Sequence, residues 1–155
     1  MHPQIRAQVA NIARHEPGLI ETAGKLMKLL LGTDGEVPRE LAHIRFTVDT
    51  ERNCCFYVAA HGMRLLAAYE NVFAVRDEQK HIRGAFRLYR EEIDGALSDT
   101  GELITFTPHS EFNFPEAIEI FVDSEQDANT RAIVIYCFAR IIQRGLKSVP
   151  MTTAR

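Results

Sequence analysis

The longest unbroken apolar run, Ala132–Ala139, most constrains what this chain can fold into, because its side chains need burial in every direction. It is far shorter than the roughly 18 residues that would span a bilayer. Taken alone, it reads as either a buried strand or a buried helix. Its continuation into Arg140-Ile141-Ile142-Gln143-Arg144, with Gly145 as a stop, favours a core helix ending near Arg144. Ser124 and Asp127, three residues apart, resemble a capping box at its start.

Helical spacing also organises the rest. Ile5, Val9 and Ile12 give a short amphipathic helix over Gln4–Arg14, which Pro17-Gly18 punctuates. Leu19, Ala23, Leu26, Met27 and Leu30 line one face of a second helix, ended by the turn Gly32-Thr33-Asp34-Gly35. Pro38 opens a third helix, to about Val48. Asn53 caps a fourth, from Cys54 to about Tyr69. Asp77 caps a fifth, to about Leu97, with Ile82, Phe86, Tyr89 and Ile93 facing the core. Residues 102–113 favour an extended backbone around Leu103-Ile104-Thr105-Phe106-Thr107, but with no partner strand in view they read as a loop. Pro115 starts a short helix to about Val122. The expectation is one all-α domain over residues 1–155, a compact bundle of six to seven helices.

Composition narrows the function. With 46% hydrophobic and 25% charged residues in 155, the chain has the balance of an ordinary globular domain. A net charge of −3 and scattered basic residues give no reason to expect a nucleic-acid or membrane partner. Cys54, Cys55 and Cys137 are an odd set with two neighbours, unlike a secreted disulfide framework. The opening stretch, MHPQIRAQVANIARHEP, has no apolar core of a signal peptide, so a cytoplasmic protein with reduced thiols is expected. The remaining histidines (His2, His15, His43, His81, His109) show no metal-ligand spacing, and no nucleotide loop is present, so neither metal nor cofactor is expected.

The string Asn53-Cys54-Cys55-Phe56-Tyr57-Val58-Ala59-Ala60-His61-Gly62 carries the chemistry. On a helix capped at Asn53, Cys54 would meet the positive end of the dipole, which favours thiolate. Cys54, Tyr57 and His61 would then share one face, with Tyr57 and His61 an i, i+4 pair. A nucleophile, a phenol and an imidazole in one stripe suit thiol redox chemistry or proton relay.

This stretch resembles the motif of the alkylhydroperoxidase D-like / carboxymuconolactone decarboxylase superfamily, a C-x-x-C-x-x-x-H pattern at the start of a core helix. Cys54 matches the first cysteine, Tyr57 stands in place of the second, and Ala59-Ala60-His61 match a common ending. Val37-Pro38-Arg39-Glu40-Leu41-Ala42-His43-Ile44-Arg45 is similar to the helix that precedes it, and the resemblance covers roughly residues 17–75. It implies an all-helical antioxidant oxidoreductase, a homo-oligomer (trimer or hexamer), in which Glu40 and His61 relay protons. Cys54 would attack a small hydroperoxide substrate, and an external thiol or Cys55 would resolve the sulfenic acid. Two other readings stand beside it. One is a non-catalytic helical module for ligand binding or assembly that has lost the second redox cysteine. The other is a decarboxylase-like enzyme using His61 and Tyr57.

Overall fold

Alternation, not helical spacing, governs the middle of the chain. The computed structural model describes residues 2–32, 38–123, 128–146 and 150. Helix α1 spans Pro3–Leu31. Seven strands follow: β1 Arg45–Val48, β2 Cys55–Ala60, β3 Met63–Arg76, β4 Gln79–Glu91, β5 Leu97–Phe106, β6 Glu111–Phe114 and β7 Ile118–Phe121. Helix α2, Ala128–Gly145, comes last. The strands pair with their chain neighbours, all antiparallel, in the order β1-β2-β3-β4-β5-β6-β7. The sheet curls into a half-barrel around the helices.

The all-α bundle expected from the sequence, and the alkylhydroperoxidase D-like architecture with it, are therefore wrong for this chain. In β2, Phe56, Val58 and Ala60 are buried in the core while Cys55, Tyr57 and Ala59 point to the other face. Apolar residues on both faces hide the two-residue period and leave a pattern that also satisfies a helix. In β4, Ile82, Phe86 and Leu88 face the core and alternate with Arg83, Ala85, Arg87 and Tyr89. Residues 102–113, read as a loop, supply the end of β5 and the start of β6, and their partners are the strands misread as helices. The expected third helix is a 3-10 turn at Arg39–Leu41 followed by β1, and the one after Pro115 is a 3-10 turn followed by β7.

Two tight turns make the long hairpins possible. His61 and Gly62 lie between paired Ala60 and Met63, with φ of 54° and 73°. Asp77 and Glu78 lie between paired Arg76 and Gln79, with φ of 51° and 62°. Both are two-residue loops with left-handed backbone, whose twist matches that of the flanking strands. The second accepts the cost of left-handed backbone at two residues with side chains.

The helices were read more accurately. Helix α2 matches the expected last helix and ends at the anticipated glycine. The capping box at Ser124 and Asp127 and the turn at residues 33–35 lie outside the described residues. Pro17-Gly18 does not end a helix, because α1 runs through both. The buried face beyond it, Leu19, Ala23, Leu26, Leu29 and Leu30, offsets the backbone hydrogen bond that Pro17 cannot make. Gly18 serves packing: a Cβ there would stand 3.1 Å from the Pro108 Cβ. Among the described residues, no helix is long and apolar enough to cross a membrane.

A chain of rings fixes the curl. Phe56–Phe86, Phe86–Phe106 and Phe106–Phe112 have centroids 5.1, 5.4 and 5.1 Å apart across β2, β4, β5 and β6. Phe112 continues to Phe114 at 6.3 Å, Phe114 to Phe138 of α2 at 6.0 Å, and Phe138 back to Phe56 at 5.9 Å. Gly84 lies opposite Phe106 in the β4–β5 pairing, and a Cβ there would collide with the Phe106 ring. Gly84→Ala should therefore destabilise the fold by about 1–3 kcal/mol through overpacking. Chemical denaturation checks this, and an unchanged midpoint would contradict it.

Candidate functional site

Because β2 is a strand, the residues nominated from the sequence separate. Cys54 precedes β2 with φ 53°, and His61 follows it. At about 3.3 Å per residue, the six residues of β2 put Cys54 and His61 at opposite ends of a strand about 20 Å long. Tyr57 lies on the face of the sheet opposite the core, its ring covered by the Arg64 guanidinium 3.7 Å from the centroid. The shared helix face does not exist.

The environment of Cys54 changes as well. No helix begins there, so no dipole supports a thiolate. Burial, and secondarily the neighbouring Cys55, push its thiol pKa up. Cys55 is buried and its thiol lies 3.3 Å from the Asn53 carbonyl, to which it donates. Cys137 is buried in the core, and burial raises its pKa too. All three cysteines are free thiols.

The other two nominated residues do meet. Glu40, in the 3-10 turn, and His61, in the β2–β3 turn, line a cleft of about 630 Å³ against the second half of α2. Leu41, Ile44, Ala60, Ala139, Ile142 and Leu146 make its apolar walls. Tyr136, Ala139, Arg140 and Gln143 recur at three- and four-residue spacing and so present one face of α2 to it.

Two polar contacts shape the cleft. His43 and His61 approach with Nε2 atoms 2.9 Å apart and ring centroids at 4.5 Å. A hydrogen bond between two Nε2 atoms needs a proton on one and a lone pair on the other, so the pair holds one ring as donor and one as acceptor. That bond uses the one proton of one Nε2 and the lone pair of the other, so a ligand engages them by displacing the bond between the rings. Opposite them, the Tyr136 hydroxyl donates to Glu40 Oε1 at 2.6 Å. That bond holds the Glu40 carboxyl below its usual range, aided by a backbone hydrogen bond, and raises the Tyr136 phenol. Arg140 is occupied by Glu116, with Nη2–Oε1 at 2.9 Å.

His43 and Tyr136 were missed in the sequence. His43 lies 18 residues from His61 and Tyr136 lies 96 from Glu40, and no local spacing connects either pair. A hairpin reading of Ala60-His61-Gly62-Met63 would have placed His61 at a turn, though not beside His43. Among the described residues, no three His, Cys, Asp or Glu side chains are grouped to hold a metal ion.

A smaller cleft, about 320 Å³, lies between α2 and β3–β5, with Met63, Leu65 and Ile141 in its lining. Its cations are engaged: Arg90 donates to the Gly145 carbonyl at 2.8 Å, and Arg144 Nη2 lies 2.7 Å from Glu102 Oε1. It offers a ligand less than the histidine cleft does.

Comparison with family models, with curated proteins and with solved structures finds no significant match for this chain. The site therefore rests on its own geometry. With its thiol pKa raised, Cys54 should be alkylated by iodoacetamide at pH 7 more slowly than a free cysteine in an unstructured peptide. A rate faster than that of the peptide would contradict the environment described.

Proposed function

We propose that this chain is a small-molecule binding domain. Its ligand would be compact and mostly apolar, with one hydrogen-bonding head group, held in the cleft between the Arg39–Leu41 turn, the β2–β3 turn and α2. The observation that carries the reading is the convergence of His43, His61 and the Tyr136–Glu40 pair on one apolar-walled cleft of about 630 Å³. Ligand sites commonly combine apolar walls with a few fixed polar groups, in volumes of about 300–1,000 Å³.

The chemistry of the rim narrows the ligand. Glu40 favours its ionised form and Arg140 is already paired, so a strongly anionic head group would meet a carboxylate without a free guanidinium to balance it. A neutral head that both donates and accepts suits the imidazole pair better, since on displacing the bond between the rings it meets one nitrogen as donor and the other as acceptor. This reading keeps the ligand-binding alternative from the sequence and transfers it from a helical bundle to a curled sheet. No contact adds support to thiol-dependent peroxide reduction, because Cys54 lies at the far end of β2 from His61.

The neutral fluorescent probe 1-N-phenylnaphthylamine tests the proposal. It should bind saturably, and Ala139→Trp, which fills the cleft from α2, should weaken it at least about tenfold, or about 1.4 kcal/mol. Ala10→Trp on the exposed side of α1 should leave binding unchanged. Undiminished binding by a folded Ala139→Trp variant would place the probe elsewhere and overturn the assignment.

A further inference from the structure

His43 and His61 meet at the cleft mouth from two separately anchored segments. His61 occupies the first, left-handed position of the two-residue turn between paired Ala60 and Met63. His43 follows the 3-10 turn and lies between Leu41 and Ile44, which are both buried and joined by a backbone hydrogen bond of 3.1 Å. Side chains presented from anchored backbone reach a shared point at little further ordering cost.

Two distances define the pair. The Nε2 atoms are 2.9 Å apart and the ring centroids 4.5 Å apart. A straight N–H···N bond of that length would hold the centroids about 5.2 Å apart, so the bond between these rings is bent. A metal ion about 2.0–2.1 Å from each of two nitrogens 2.9 Å apart would see them at about 90°. Two rings aimed at such an ion would have centroids about 4.5 Å apart, which is the separation observed. Tetrahedral ligands need nitrogens about 3.3 Å apart, a wider spacing than this pair has. The pair instead fits adjacent corners of a square or an octahedron, and tetragonal nitrogen–oxygen sites suit copper(II) and nickel(II).

From this geometry we propose that His43 and His61 form a two-imidazole site for a divalent transition metal of square or octahedral preference, nickel(II) or copper(II). Each ring gives its Nε2 lone pair to the metal and carries its single proton on Nδ1. The metal takes the place of the bent hydrogen bond. The charges around the pair favour a cation. Glu40, which favours its ionised form, lines the same cleft, while Arg140 is engaged by Glu116. Among the described residues, no third His, Cys, Asp or Glu joins the pair as a metal ligand. The other coordination positions therefore go to water or to a donor atom on a molecule in the cleft, an open arrangement that lets ligands exchange. The inference concerns a metal rather than the apolar ligand, and it does not depend on that ligand binding.

Nickel(II) is the suitable probe, because it does not oxidise the free thiols as copper(II) would. Calorimetric titration of the full chain with nickel chloride should show a saturable site, which His43→Gln and His61→Gln should each weaken about tenfold or more. His109→Gln, at an exposed position in the turn between β5 and β6, should leave it unchanged. In the NMR spectrum, substoichiometric paramagnetic nickel(II) should broaden the ring-proton signals of His43 and His61 before those of the other histidines. Thermal unfolding of each variant confirms that it is folded. The proposal is overturned if the parent shows no saturable binding, or if either variant binds nickel as tightly as the parent. It is also overturned if the signals of another histidine broaden first. No apolar probe is present in these titrations, so failure of the metal site and failure of the apolar-ligand reading are separate results.

Discussion

Six phenylalanine rings close a circuit through the interior, and the shape of the protein depends on it. Phe56, Phe86, Phe106, Phe112 and Phe114 lie on the inner face of the sheet, and Phe138 of α2 joins the two ends of that row. Phe46 of β1 adds a further edge contact to Phe138 at 5.4 Å. An open antiparallel meander has no covalent or hydrogen-bonded reason to bring β1 and β6 toward each other. A single ring touched from both sides provides one. Burying a ring of this size contributes about 1.5–3 kcal/mol, and each well-placed aromatic pair adds about 0.5–1.5 kcal/mol.

The same contact positions the candidate cleft. With Phe138, Val134, Ile141 and Ile142 committed to the core, the rotation of α2 about its axis is set, and Tyr136, Ala139, Arg140 and Gln143 face the end of β2. The left-handed turn at His61-Gly62 then presents an imidazole at the cleft mouth, where His43 meets it. Tyr136 reaches across to Glu40 and pins the Arg39–Leu41 turn to α2. Core packing and site geometry are thus two faces of one helix, and a substitution on the buried face would displace the groups on the open one.

The sequence made the two helices legible and hid the sheet. The run Ala132–Ala139 with its extension to Arg144 reads as a helix by its length, and it is one, but it is not buried all round: Ile133 and Tyr136 stay exposed. In the middle of the chain, Cys55-Phe56-Tyr57-Val58-Ala59-Ala60 is apolar on both faces, so the strand period vanished. Ile82, Phe86 and Tyr89 happen to satisfy helical spacing although Tyr89 faces away from Ile82 and Phe86 on a strand. His61-Gly62 is a turn inside a stretch that reads as one helix from Cys54 to about Tyr69, and the turn at Asp77-Glu78 carries no glycine to announce it. Of the nominated site residues, Glu40 and His61 come together in one cleft, through a 3-10 turn and a hairpin turn rather than through the two helices that the sequence suggests for them. Cys54 and Tyr57 lie elsewhere because strand geometry sends successive residues to opposite faces and extends the six residues of β2 over about 20 Å.

The central claim is that β1 and β2 on one side of the open sheet and β6 on the other rest on one ring of α2. Nuclear Overhauser contacts from the aromatic protons of Phe138 test it most directly. The structure requires contacts to Phe46 or Phe56 on one side and to Phe114 on the other within the same monomer. Contacts to one side alone, or to none, would mean that the sheet does not close on α2, and the cleft built on that closure would not exist.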